Sequence, residues 1–93
     1  MEYIMKIEDT AILPSIGCVI LGNNPQITKY DISMLNLKDK LIMVKTVNDE
    51  IIFKVLDVNI SLSISENLNI GIRVAESDDF SKIKTGNLLY KVE

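Results

Sequence analysis

The sequence predicts an all-β fold in which six or seven short strands form a small closed barrel. Three observations favour it: apolar residues recur at every second position in several segments, turn-forming residues separate the short apolar runs, and 93 residues provide for one domain. The clearest alternation lies at residues 60–65, where aliphatic side chains face one way and serines the other, as in a strand buried on one side. We therefore expect one domain over residues 1–93, with a sandwich as the second arrangement that such strands could adopt.

The first part of the chain is expected to contain two strands. Residues 10–13 form an apolar run that ends at Pro14, which cannot donate a hydrogen bond to a neighbouring strand. Residues 17–22 form a second apolar run between two glycines, and the turn-forming residues 23–25 follow it. These two runs predict adjacent strands of the barrel.

A hairpin and three further strands are predicted in the rest of the chain. The runs at residues 41–45 and 51–56 are joined by Val47–Glu50, whose Asn and Asp suit a tight turn. Residues 77–86 predict one helical turn that begins after Ser77 and ends at a glycine. The three further strands are expected at residues 60–65, 70–75 and 88–92.

The segment Pro25–Lys40 has no strand pattern. It fits either a helix whose apolar face holds Ile27, Tyr30, Met34 and Leu37 or a loop with one helical turn. The predicted hairpin is partly apolar on both faces, whereas a barrel interior buries only one of them. We expect the segment to cover the outer face; contact with a partner or a second copy, hence a homo-oligomer, is the alternative.

The residue types that carry most enzyme chemistry are missing or isolated. The chain has no histidine, its single cysteine Cys18 lies in an apolar run typical of a buried thiol, and its four glycines form no phosphate-binding motif. Adjacent carboxylates at residues 8–9, 49–50 and 78–79 are typical of solvated turns. The sequence therefore predicts no catalytic residue, no metal ligand and no cofactor, and we do not expect an enzyme.

The net charge of −3 arises in the second half of the chain. Residues 47–93 carry eight acidic and five basic side chains, whereas residues 1–46 carry five of each. Nucleic-acid binding normally requires a basic surface, so the charge disfavours RNA as a partner. The N-terminus has no basic region followed by a signal-peptide core, and no apolar run approaches the roughly 20 residues of a membrane span, so we expect a cytoplasmic protein that does not bind a membrane.

The order of the strands and the residues that separate them resemble those of the second domain of translational GTPases of the elongation factor Tu type. Five segments carry the resemblance. In chain order they are an acidic segment before the first strand, a strand between two glycines, an apolar segment before the hairpin and a Glu-Asn motif before a strand. The last is a segment in which an acidic, an apolar and a basic residue precede a glycine and the final strand. The five segments lie at residues 7–9, 17–22, 35–44, 65–73 and 79–89. Together they cover almost the whole chain, and their common order is more specific for the fold than for the function.

The resemblance implies a β-barrel with a binding role. In elongation factor Tu the Glu-Asn-Val phrase helps to line the pocket for the aminoacyl end of transfer RNA, and Glu66, Asn67 and Leu68 occupy the matching positions. They are the candidate binding residues, and a turn between two strands is the alternative explanation for Glu66 and Asn67. The net negative charge, the lack of a GTPase domain in these residues, and Asn23 at a position that is often basic in the family count against a role in carrying transfer RNA.

We expect a non-catalytic binding module, an orphan barrel that binds a protein partner. The first alternative is a small acidic immunity or antitoxin protein, whose acidic second half would cover a basic site on a toxin. The sequence is also compatible with an RNA-binding accessory of translation and with a regulatory or ligand-sensing barrel within an assembly.

Overall fold

Six antiparallel strands pair side by side until the last one meets the first, so that the sheet closes in a ring in the order β1-β2-β5-β4-β3-β6. The computed structural model describes residues 1–62 and 68–92. The strands are β1 (Glu2–Leu13), β2 (Gly17–Asn23), β3 (Leu41–Lys45), β4 (Glu50–Leu62), β5 (Leu68–Val74) and β6 (Leu88–Lys91). The prediction of an all-β protein is thus confirmed.

Two long strands connect the two halves of the ring. β1 pairs with β6 over Glu2–Lys6 and with β2 over Lys6–Leu13. β4 pairs with β3 over Glu50–Lys54 and with β5 over Val55–Leu62. The front half-ring therefore consists of the start of β1, β6, β3 and the start of β4, and the rear half-ring consists of the end of β1, β2, β5 and the end of β4.

The two largest differences from the predicted strand boundaries both lie at β-bulges, whereas β5 and β6 differ from the prediction by one or two residues. β1 begins at Glu2 rather than residue 10, because a register shift between Tyr3 and Met5 interrupts the alternation that would have revealed it. The strand predicted at 51–56 and the beginning of the one predicted at 60–65 are one strand, β4, with a register shift between Val55 and Asp57. Residues 63–65 of the second prediction lie outside the described residues.

The segment Pro25–Lys40 contains one short helix, α1 (Lys29–Leu35), and closes one end of the ring. Thr28 caps it: the Thr28 hydroxyl accepts a hydrogen bond from the Asp31 amide, and the Asp31 carboxylate accepts one from the Thr28 amide. Its buried residues are Ile32 and Leu35. Both belong to the core, as does Leu37 beyond the end of the helix.

The predicted apolar face of this helix was wrong in part. Tyr30 and Met34 are exposed, whereas Ile32 and Leu35 are buried. The helix ends at Asn36, whose backbone is left-handed, so Leu37 does not continue the helical face. A seven-residue helix makes about two turns, and its packing against the ring decides which side is buried.

A short 3-10 helix, Asp78–Lys82, confirms the helical turn predicted after Ser77. Its Phe80 is buried in the core and meets Phe53 edge to face, with ring centroids 6.3 Å apart. Ser81 and Lys82 line a cavity with the turn that follows β3. At the other end of β3, the Lys91 ammonium group donates to the Leu35 carbonyl of α1. The two helical segments therefore lie at opposite ends of the ring.

Candidate functional site

Of the three residues that the sequence singled out, Leu68 alone lies within the described residues. Glu66 and Asn67 lie outside them, so a pocket at these positions stays a prediction. Leu68 is the first residue of β5; its side chain is 7% exposed and belongs to the core. In this position the Leu68 side chain supports the ring from inside rather than offering a surface to a partner.

The outer surface of the front half-ring carries a row of large apolar side chains that runs across four strands. Tyr3 in β1 pairs with Tyr90 in β6. Tyr90 pairs on its other side with Met43 in β3, and Met43 pairs with Ile52 in β4. We call these four residues the front stripe; with strands about 4.8 Å apart, it extends for about 14 Å.

Met43 shows that the front stripe faces outward. Its neighbours Ile42 and Val44 are part of the core cluster inside the ring, so the alternation of the strand directs Met43 to the other face. Although Met43 is only 4% exposed, it is not part of that cluster. A long apolar side chain is thus packed among its neighbours on the outside of the sheet.

The ends of the front stripe are accessible. Tyr3 is 42% exposed and Ile52 is 48% exposed, and Leu41, on the same face of β3, is 47% exposed. The rings of Tyr3 and Tyr90 meet edge to face with centroids 5.6 Å apart. This contact fixes the two rings against each other and gives one end of the stripe a rigid aromatic surface.

Lysines flank the front stripe on both sides. One neighbouring row contains Lys6 and Lys45, both of which pair with Leu88, together with Glu50, which pairs with Lys45. The other neighbouring row contains Lys54, which pairs with Leu41. Three lysines and one glutamate give this face a positive charge, although the whole chain carries −3.

A cavity of 470 Å³ continues the surface beyond Tyr3 towards α1. Tyr3 and Met34 both line it, and Met34 is exposed. Glu2, Asp31 and Lys91 provide charged groups at its wall. The apolar surface of the front half-ring thus reaches the helix that closes the ring.

Other charged groups are mostly dispersed over the described surface. Lys82 forms an ion pair with Asp79 at 2.9 Å, and this hydrogen bond together with the carboxylate charge raises the pKa of Lys82. Within residues 1–62 and 68–92, no three His, Cys, Asp or Glu side chains are grouped as the ligands of a metal ion would be. No helix in this part of the chain has the length and apolar character needed to cross a bilayer.

The front stripe was not predicted from the sequence, although the sequence contains one indication of such a surface. The runs at 41–45 and 51–56 are apolar on both faces, and we expected Pro25–Lys40 to cover the outer one. That expectation was wrong: the segment packs into the end of the ring and leaves Leu41 and Ile52 exposed. The two tyrosines could not be assigned to the same surface, because they come from opposite ends of the chain.

The chain has no significant match to a protein-family model, to a curated protein or to a solved structure.

Proposed function

We propose that this protein is a non-catalytic binding module, a barrel of the type found as the second domain of translational GTPases, and that it binds a protein partner through the front stripe. The observation that carries the proposal is the continuous apolar row of Tyr3, Tyr90, Met43 and Ile52 on an outer, lysine-flanked face. Single exposed apolar residues are common on protein surfaces, but a contiguous patch with a polar rim is typical of an interaction site.

The composition of the front stripe favours a protein over RNA. Tyrosine and methionine are enriched at the centres of protein interfaces, and charged residues are more frequent at their rims. Single-stranded RNA is usually bound by aromatic rings whose faces are free to stack on bases. Here Tyr3 and Tyr90 pack against each other, and the remaining two members are aliphatic or thioether side chains.

The charge around the front stripe favours a partner with an apolar patch surrounded by acidic groups. Lys45 and Lys54 lie on opposite sides of the stripe, and Lys6 extends the positive rim towards β1. Complementary rim charges increase the association rate and disfavour partners of the same sign. An immunity protein that covers a basic toxin site would instead use an acidic surface, so charge-reversed variants of these lysines distinguish the two functions.

The experiment is affinity capture from lysate of the source cells with matched variants of the β3–β4 hairpin. Ile52→Glu places a negative charge in the front stripe, and Val47→Glu places the same charge at a position that is 94% exposed in the turn outside it. We expect the unmodified protein and Val47→Glu to retain the same stoichiometric protein, and Ile52→Glu to lose it. Ribonuclease treatment should leave the bound species unchanged.

The purified partner then allows a test of the charge. Lys45→Glu and Lys54→Glu should each weaken binding by roughly 2- to 10-fold, mainly through slower association, and the difference should shrink at high salt. Unchanged binding by Ile52→Glu, or bound material that disappears on ribonuclease treatment, would contradict the proposal. Tighter binding by the two lysine variants would instead favour the immunity function.

A further inference from the structure

The outer surface of the rear half-ring contains an apolar groove that has no part in the front stripe. It has a volume of 310 Å³. Its lining residues come from the β1–β2 hairpin and from the facing parts of β4 and β5. They are Leu13, Ile16, Val19, Leu21, Asp57, Asn59, Gly71 and Arg73.

The groove exists because a glycine lies in the middle of β5. Gly71 pairs with Leu21 on one side and with Asn59 on the other. Because glycine has no side chain, a gap lies between the side chains of Leu21 and Asn59. A Cβ atom at Gly71 would lie 3.4 Å from the Leu21 side chain and 3.9 Å from Val19. These are ordinary contact distances, so the gap at Gly71 is wide enough for a methyl group, and it deepens the floor of the groove.

The tip of the β1–β2 hairpin forms one wall of the groove. Ser15 and Gly17 adopt left-handed backbone conformations, and the Ile16 amide donates to the Leu13 carbonyl at 3.2 Å. Arg73 Nη1 donates to the Ile16 carbonyl at 3.5 Å, which connects the tip to β5. Ile16 is 50% exposed, and Leu13, which also lines the groove, is 41% exposed. A projecting apolar tip and an apolar groove therefore lie side by side on the same surface.

The groove also presents one charge of each sign. Asp57 and Arg73 are paired residues of β4 and β5. Among the described residues the one ion pair joins Lys82 to Asp79, so Asp57 and Arg73 lie side by side without bonding to each other. A partner that fits this groove must offer apolar side chains together with a basic group near Asp57 and an acidic group near Arg73.

We propose that the occupant of the rear groove is a second copy of this chain, related to the first by a two-fold axis. In a two-fold interface, if residue i of one copy contacts residue j of the other, then j of the first contacts i of the second. Asp57 of each copy then faces Arg73 of the other, and the hairpin tip of each copy enters the other's groove. The same surface supplies the projection, the cavity and both charges, which is the self-complementarity that such an interface requires.

Charge reversal gives a test that depends on contact between copies. Asp57→Arg would place an arginine opposite the Arg73 of the second copy, and Arg73→Asp would place an aspartate opposite its Asp57, so each variant alone should repel itself. Mixing the two variants restores opposite-charge pairs between unlike chains. Asp49→Arg, the same type of substitution in the β3–β4 turn, is the matched control.

The measurement is sedimentation velocity at concentrations from about 10 µM to about 1 mM, which detects even a weak dimer with a dissociation constant of about 1 mM. We expect a dimer for the unmodified protein and Asp49→Arg, at least about a 100-fold higher dissociation constant for each groove variant, and a heterodimer from their mixture. A chain that stays monomeric at the highest concentration overturns the proposal, and so does a dimer that both single variants leave intact. Failure of Ile52→Glu to lose its partner would leave this result unaffected, because the front stripe and the rear groove share no residue.

Discussion

Alanine substitutions at Gly22 and Gly71 form a matched test of how closely the ring is packed. Both glycines lie inside strands, and Ile7 in β1 pairs with Gly22 in β2, at the point where β1 passes from the rear half-ring to the front. A Cβ atom at Gly22 would overlap the Lys6 carbonyl oxygen and would lie 2.9 Å from Met5 Sδ. A Cβ atom at Gly71 would make only ordinary contacts.

The two substitutions should change stability in opposite directions. Alanine restricts the unfolded chain more than glycine does, which favours the folded state by about 0.5–1 kcal/mol where the new methyl group fits. Gly71→Ala should therefore raise Tm by about 2–8 °C, at about 4–8 °C per kcal/mol for a domain of this size. At Gly22 the backbone carbonyl cannot move without shifting β1, so a net loss of about 1–3 kcal/mol is expected, or about 4–24 °C.

Thermal and urea unfolding, followed by circular dichroism, would measure both variants. The protein concentration should be near 1 µM, because dimer formation would make Tm depend on concentration. The m-value should stay constant, since neither change alters the surface that is exposed on unfolding. If Gly22→Ala were as stable as Gly71→Ala, the close approach of β2 to β1 and the register around Lys6 would be wrong.

Three further predictions concern the cap of α1, the thiol and the candidate pocket. Thr28→Ala should lower the free energy of unfolding by about 0.5–2 kcal/mol in urea titrations, because the capping hydrogen bond is lost, whereas a neutral effect would show that this hydrogen bond adds nothing to stability. Cys18, which is 5% exposed, should react with a thiol reagent at least about 100-fold more slowly in the folded protein than in denaturant; similar rates would place it outside the core. Glu66→Ala with Asn67→Ala should weaken partner binding at unchanged Tm if these residues line a pocket, and equal losses of binding and stability would assign them to a structural turn.

Both proposed surfaces result from the way in which the two long strands, β1 and β4, pair with their neighbours. Because β1 and β4 each pair with different neighbours along their length, the ring has two four-stranded outer faces that point in different directions. The front face carries the tyrosines and lysines, and the rear face carries the glycine gap and the hairpin tip. A dimer formed through the rear face would leave both front stripes free, so the complex could bind two partner molecules.

Local patterns in the sequence determined the type of most elements. The glycine-bounded run at 17–22 is β2, and the paired runs around Val47–Glu50 are β3 and the beginning of β4. These patterns succeed because a strand that is buried on one side must alternate apolar and polar residues. They also placed Cys18 in the core, as its burial confirms.

Only the tertiary structure decided where the long strands begin, where Pro25–Lys40 packs and which side chains share a surface. Register shifts in β1 and β4 break the two-residue period, so the sequence concealed the start of one strand and the continuity of the other. The front stripe unites Tyr3 with Tyr90, and these residues become neighbours only when β6 closes the ring against β1. Alternation specifies which face of a strand is buried but not which strands become neighbours, because neighbours are selected by the packing of the whole ring around a common core.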